Sequence, residues 1–363
     1  MSMNDTNFQR VRGAMLRQRQ GDRVPLFEIS IHQAIKAQIL GRPIREPQDE
    51  VEFWRIAGYD FVCIRSGVRS VVRGLHPVVR EWLLRCTHRP KYGESRSGSW
   101  VNKDSGLIRT RKDLTDFPWP APEELGGYDD YASLDDYLQT MKRCLPGDMK
   151  LIVQLGYLFM GAWQIMGFDN FCLQLADDPE FVQAVIDKLA ASQLGVLGML
   201  LQHDCVGAIW MPDDLCYNSG PVVAPRHYRK FIYPWYARMI ERCHQANRPV
   251  GLHSDGDLTK LLPDLVECGF DAIHPFEPPL NDIVAVKHQW GHRIAVCGNI
   301  DLKATLIAGR PETVEAEVRD KAAQLAPGGG WLIGSSNSIP DFVPIENYQA
   351  LLAASLKYGL YSN

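Results

Sequence analysis

Short apolar runs recur along the chain, separated by stretches with helical spacing. The runs are VPLFEIS (24–30), DFVCIRS (60–66), KLIVQLG (150–156), VGAIWMP (206–212), RPVGLHS (248–254), FDAIHPF (270–276), RIAVCGN (293–299) and GWLIGSS (330–336). Most lack the strict polar/apolar alternation of a half-exposed sheet, as parallel strands covered on both faces should. Between them lie helical patterns: FVQAVIDKLAASQLGVLGMLLQH (181–203), a segment opened by Pro225, and PETVEAEVRDKAAQLAPGGG, which starts on proline and stops at glycines. Strands alternating with helices in this number predict a (β/α)8 TIM-type barrel. A doubly wound open sheet is the main alternative, weakened by the lack of a Gly-x-Gly-x-x-Gly after any strand.

Residues 70–145 break the rhythm. RSGSWVNKDSGLIRTRKD reads as a hairpin turning at Asn102–Gly106, and DFPWPAPEELGGYDD as a proline- and glycine-rich connector. This stretch is an insertion over one barrel mouth, so that residues 1–363 form a single domain.

The active site of such a barrel lies at the C-terminal ends of its strands. Those ends carry Glu28 and His32, Arg65, Gln154 and Tyr157, Asp213 and Asp214, His253 and Asp255, His274 and Glu277, Cys297, Asn299 and Asp301, and Ser335, Ser336 and Asn337. The stretch GLHSDGDL (251–258) is the sharpest part. Residues two apart on a strand point the same way, so His253 and Asp255 enter one cavity, where they suit a metal ion or an acid/base couple. Ser254 points into the wall, and Asp257 caps the helix that follows. Of the adjacent Asp213 and Asp214, one faces the cavity and the other caps or makes a turn. A lone cysteine such as Cys297 is more often a small core residue than a ligand.

Composition narrows the classes. A hydrophobic fraction of 45% and a charged fraction of 23% are ordinary for a globular protein, and a net charge of −4 gives no nucleic-acid or membrane footprint. No apolar run reaches membrane-span length and the N-terminus is too polar for a signal peptide, so a cytoplasmic location is expected. Nine scattered cysteines with no Cys-x-x-Cys fit reduced thiols.

Five stretches carry a resemblance: DLTDFPWPAPEE, GPVVAPRHYRKFIYPWYARMI, LHSDGDLTKLLPDLVECGFDAIHPFEP, VCGNIDLKATLIAGRPETVEAEV and GGGWLIGSSNSIPDFVPIENYQALL. In this order, they resemble the uroporphyrinogen decarboxylase superfamily, which includes zinc-dependent methyltransferases that exchange methyl groups with corrinoid (methylcobamide) proteins. The resemblance implies a distorted (β/α)8 barrel. Two departures shape the expected activity. Uroporphyrinogen decarboxylases carry an arginine-rich loop after the first strand, where this chain has FEISIHQAIKAQIL with no arginine. The methyltransferase branch has His-x-Cys at the fifth strand and another cysteine after the eighth; here Asp255 takes the first cysteine position, and Ser335 or Ser336 stands near the second.

The resemblance then implies a methyltransferase or demethylase moving a methyl group between a small substrate and a corrinoid carried by a partner protein. The chain itself has no Asp-x-His-x-x-Gly corrin motif. Zinc would use His253 and Asp255 with Glu277, Cys297 or an aspartate of 213–214. Such a hard donor set suits an oxygen leaving group, hence a methoxy substrate. Asp213, Asp214, Arg65 and Asn299 are the catalytic candidates; Tyr157, Gln154, Ser335, Ser336 and Asn337 are the substrate-binding ones. The alternatives are a cofactor-independent decarboxylase of a small acid, anchored by Arg65, and a non-catalytic binding barrel.

Overall fold

The computed structural model describes residues 6–18, 22–66, 78–79, 106–125, 131 and 133–361. Its core is a parallel sheet of β1 (Phe61–Arg65), β2 (Lys150–Gln154), β3 (Val206–Pro212), β6 (Val250–His253), β7 (Ala272–His274), β8 (Ala295–Cys297) and β9 (Trp331–Leu332), hydrogen-bonded in that order. A two-stranded hairpin, β4 (Cys216–Tyr217) with β5 (Gly220–Pro221), follows β3. Every strand of the parallel sheet lies within an apolar run of the sequence, and β3 and β6 are buried throughout, as strands with helices outside and a filled barrel inside must be.

The first apolar run closes the ring without forming a regular strand. Leu26 bridges Ile333 and Ile31 bridges Ile339, both parallel. Pro25 has no N–H, so it contributes its carbonyl to Ile333 N–H at 3.0 Å and cannot donate in return. On the other side, Gln154 donates to the Ile29 carbonyl (2.7 Å), and the rings of Phe27 and Phe61 meet at 5.7 Å. Glu28 lies fully buried at this seam and accepts from both the N–H and the hydroxyl of Ser335, each at 2.7 Å. Burial pushes its carboxyl up to about 8, against the pull of those two donors.

Helices cover the sheet where the patterns place them, at Pro179–Leu200, Tyr233–Gln245 and Pro311–Leu325. The expected hairpin at 96–113 is corrected over its described part. Thr110 accepts from Asp113 N–H while Asp113 accepts from Thr110 N–H, a capping box that starts the helix Arg111–Asp116. The turn residues 102–105 lie outside the described residues. Gly251 is required by packing: a Cβ there would meet the Trp210 ring at 2.1 Å, so β3 and β6 hold their spacing only because the side chain is missing. No helix among the described residues is long and apolar enough to cross a membrane.

The buried Glu28 makes a pH prediction. Its folded-state pKa lies above the ordinary value of 4.5, at about 8, so the folded protein holds this proton more tightly than the unfolded chain. Its contribution to stability is fully present below pH 4.5, declines as pH rises and is lost above about 8. Urea unfolding of wild type and Glu28→Gln across that range should show the difference between them changing with pH in this direction. A constant difference would mean that Glu28 ionises as it does in the unfolded chain.

A candidate metal centre at the barrel mouth

The site begins with strand register. Pro212 on β3 pairs with His253 on β6, and His253 with His274 on β7. The residues after Pro212 and the two histidines therefore reach one layer at the C-terminal ends of three neighbouring strands. Asp213 and Asp214 divide there. Asp213 accepts from the N–H groups of Leu158, Phe159 and Met160 and from the Tyr236 hydroxyl at 2.6–3.0 Å. It caps the helix Phe159–Met166 from outside, and burial pushes its carboxyl up to about 6 against those donors. Asp214 turns into the mouth.

Asp214, His253 and Asp255 form one cluster, with one ligand atom from each lying within 4.8 Å of the others. His253 Nε2 is 3.7 Å from Asp214 Oδ1 and 3.4 Å from Asp255 Oδ1. The side chains are 9% (Asp214), 5% (His253) and 29% (Asp255) exposed, so the centre is sealed below and opens through Asp255. Asn337 Nδ2 donates to both Asp255 oxygens (2.9 and 3.0 Å), fixing the carboxylate plane. The loop carrying Asp255 is itself pinned. Ser254, fully buried in the wall, accepts from Leu215 N–H (2.9 Å), and Gly256 N–H donates to Glu277 (2.8 Å). A Cβ on Gly256, whose φ is +88°, would lie 2.7 Å from the Cys216 and Tyr217 carbonyls of the hairpin. Asp257 does not cap the helix as expected: the helix Leu262–Cys268 starts from Leu261, and Asp257 accepts from Thr259 N–H at 2.9 Å in the turn before it.

The remaining candidates separate by what they touch. Glu277 borders the cluster; burial raises its pKa, Asp214's charge adds to this, and the Gly256 N–H and Lys303 oppose it. Neither Glu277 nor Cys297 belongs to the cluster of three among the described residues. Cys297 is fully buried, and burial holds its thiol well above the ordinary range. Asn299, a catalytic candidate in the sequence, donates to the Phe276 carbonyl (2.6 Å) and accepts from Lys321 (2.6 Å). Gln154 faces the barrel seam, where it donates to Ile29 O and Cys63 Sγ, and Ser336 accepts from Leu302 N–H (3.0 Å). Ser335 is engaged by Glu28. Arg65 and Tyr157 are half-buried at the ends of β1 and β2. His274 is the residue whose part the sequence does not reveal: its Nδ1 lies 2.8 Å from His253 Nδ1. Its only signal is its position at the end of the neighbouring apolar run.

A cation suits this arrangement. Two carboxylates and an imidazole in a largely buried layer repel one another unless a proton or a metal ion joins them. One nitrogen and two oxygens are a donor set that zinc accepts.

Comparison with known proteins agrees with this architecture. The uroporphyrinogen decarboxylase (URO-D) family model matches residues 105–358. A methylated-thiol–coenzyme M methyltransferase of Methanosarcina mazei is 25% identical over 217 residues, covering 60% of this chain and 56% of that protein, so the match spans little more than half of that relative. A uroporphyrinogen decarboxylase of Actinobacillus pleuropneumoniae is 24% identical over 262 residues, covering 69% and 70%. A methylcobamide:CoM methyltransferase of Methanosarcina barkeri is 28% identical over 140 residues, 39% of each chain. Among solved structures, a methyltransferase from Methanosarcina mazei shares the fold, with a TM-score of 0.68 at 15% identity over 98% of this chain and 99% of that one. The matched family model covers most of the barrel and all three residues of the cluster, and the chain belongs to the uroporphyrinogen decarboxylase family.

Proposed function

We propose that the protein is a methyltransferase that moves a methyl group between a small methoxy compound in the barrel mouth and a corrinoid carried by a separate protein. The observation that supports this reading most directly is the cluster of Asp214, His253 and Asp255 at the strand ends. These three residues would hold a zinc ion, which when bound supplies Lewis acidity toward an oxygen leaving group. A nitrogen-and-oxygen set makes a harder centre than thiolates would, which favours oxygen over sulfur.

The protein's own groups do the positioning. Asn337 fixes the plane of Asp255 through both oxygens. Glu277 and the hairpin hold the Gly256 turn, so Asp255 stays over His253. Asp213 fixes the helix that starts beyond Tyr157, and Tyr157 and Arg65, which stand at the ends of β2 and β1, would contact the substrate. The mouth opens on the Asp255 side, the most exposed of the three, and this is where substrate and partner would approach.

The decarboxylases among the relatives suggest uroporphyrinogen as a substrate, and among the described residues the stretch after the first apolar run offers it little. The helix Gln33–Leu40 after the first apolar run has no arginine, and its Lys36 is buried against Glu50 and over the Phe53 and Trp54 rings. A substrate with many carboxylates needs cations that are not already paired. Incubation with uroporphyrinogen III should yield little or no coproporphyrinogen by chromatography; efficient conversion would show that other residues bind the carboxylates.

Metal content tests the centre. Protein expressed with added zinc should hold about one ion per chain, since one cluster of this type is present among the described residues. His253→Ala should lose it while keeping a cooperative melt, because the barrel core carries the stability. Asp255→Cys should retain zinc. Asp257→Ala should keep full metal content and lose about 1 kcal/mol with the hydrogen bond of the turn. Elemental analysis beside thermal melts reads all four proteins, and a metal-free wild type would end the zinc reading.

A further inference from the structure

His274 ends β7 directly opposite His253 and is fully buried. Its Nε2 lies 3.3 Å from the Ser335 carbonyl oxygen. A carbonyl oxygen only accepts, so Nε2 carries the proton of this ring. The ring is fully buried, and its two nitrogens meet a carbonyl oxygen and another imidazole, neither of them an anion, so it is neutral and its Nδ1 has the lone pair. That Nδ1 faces His253 Nδ1 at 2.8 Å, a distance that requires one donor and one acceptor. His253 must donate, and a neutral His253 is then left with its lone pair on Nε2, the nitrogen facing Asp214 and Asp255. The Ser335 carbonyl is in turn held in place by the two hydrogen bonds from Ser335 to Glu28, on the far side of the barrel seam.

We propose that His274 is a positioning residue, which with Ser335 and Glu28 behind it fixes the His253 tautomer that turns the Nε2 lone pair toward the two carboxylates. The consequence for affinity rests on the zinc reading; the tautomer does not. A ring nitrogen held by a hydrogen bond at its other end is the usual means of fixing a ligating histidine. The common support is a carboxylate or a carbonyl. A neutral imidazole does the same work without adding a third negative charge beneath Asp214 and Asp255.

The test is long-range nitrogen–proton NMR on metal-free, 15N-histidine-labelled protein, with the two rings assigned from His253→Ala and His274→Asn. In the wild type, His274 should be unprotonated at Nδ1 and protonated at Nε2. His253 should carry its proton on Nδ1. A proton on His274 Nδ1, or a bare Nδ1 on His253, overturns the proposal. Zinc affinity by chelator competition supplies the second readout. His274→Asn offers an oxygen where Nδ1 was and should bind zinc within a few-fold of wild type. His274→Leu removes the acceptor, frees the His253 proton to move to Nε2, and should weaken zinc by roughly 10- to 100-fold. Equal affinities for folded Asn and Leu variants would also overturn it. If wild type has the stated protonation but takes up no zinc, the positioning stands and the zinc reading alone fails. If the Leu variant does not fold, the wild-type spectra still decide.

Discussion

The register of three neighbouring strands is the constraint on which the centre depends. Pro212, His253 and His274 form one row across β3, β6 and β7. With that row set, Asp214 leaves β3 beside His253, Asp255 follows two residues later on the same side, and His274 stands at hydrogen-bond distance. A slip of one residue between β3 and β6 would turn every side chain of β6 over and put Leu252 where His253 belongs. Gly251 guards against that slip, because its place against Trp210 admits no Cβ. The sheet therefore fixes the chemistry through spacing that apolar packing enforces far from any charge.

Gathering acids in a sealed layer costs stability, and the fold offsets it by giving each one separate donors. Asp213 takes three backbone N–H groups and a tyrosine hydroxyl, Asp255 takes Asn337, Glu277 takes Gly256 N–H, and Glu28 takes Ser335. Asp214 and His253 lie deepest in the cluster, where a cation would relieve the repulsion most. The family contains relatives named as methyltransferases and as decarboxylases, so family membership leaves the reaction open. The donor atoms at the mouth have to decide it.

The sequence made much of this legible. All eight apolar runs lie in the barrel wall, because buried parallel strands leave an unbroken hydrophobic signature. The division of labour between Asp213 and Asp214 follows from the opposite directions of adjacent residues. So does the pairing of His253 with Asp255 around a buried Ser254. What stayed hidden depends on tertiary direction. Asn299, Gln154 and Ser336 end strands as polar residues should in a site, yet each is claimed by a nearby backbone group or lysine. Cys297 is sealed inside the wall, and of the third ligands the sequence leaves open it is Asp214 that joins the cluster. His274 gives no sign of its role because its partner is another strand's histidine, 21 positions away. The helix Arg111–Asp116 is a different case: Thr110 and Asp113 spell a capping box that the glycine-rich stretch before it obscures.

X-ray absorption at the zinc edge reads the donor atoms around zinc bound by the protein in solution. The account predicts a shell of nitrogen and oxygen alone at about 2.0–2.2 Å, with the outer-shell scattering of one imidazole. That imidazole signal should disappear in His253→Ala reconstituted with excess zinc. A sulfur scatterer at about 2.3 Å would contradict the account, since it would mean that a cysteine holds the metal.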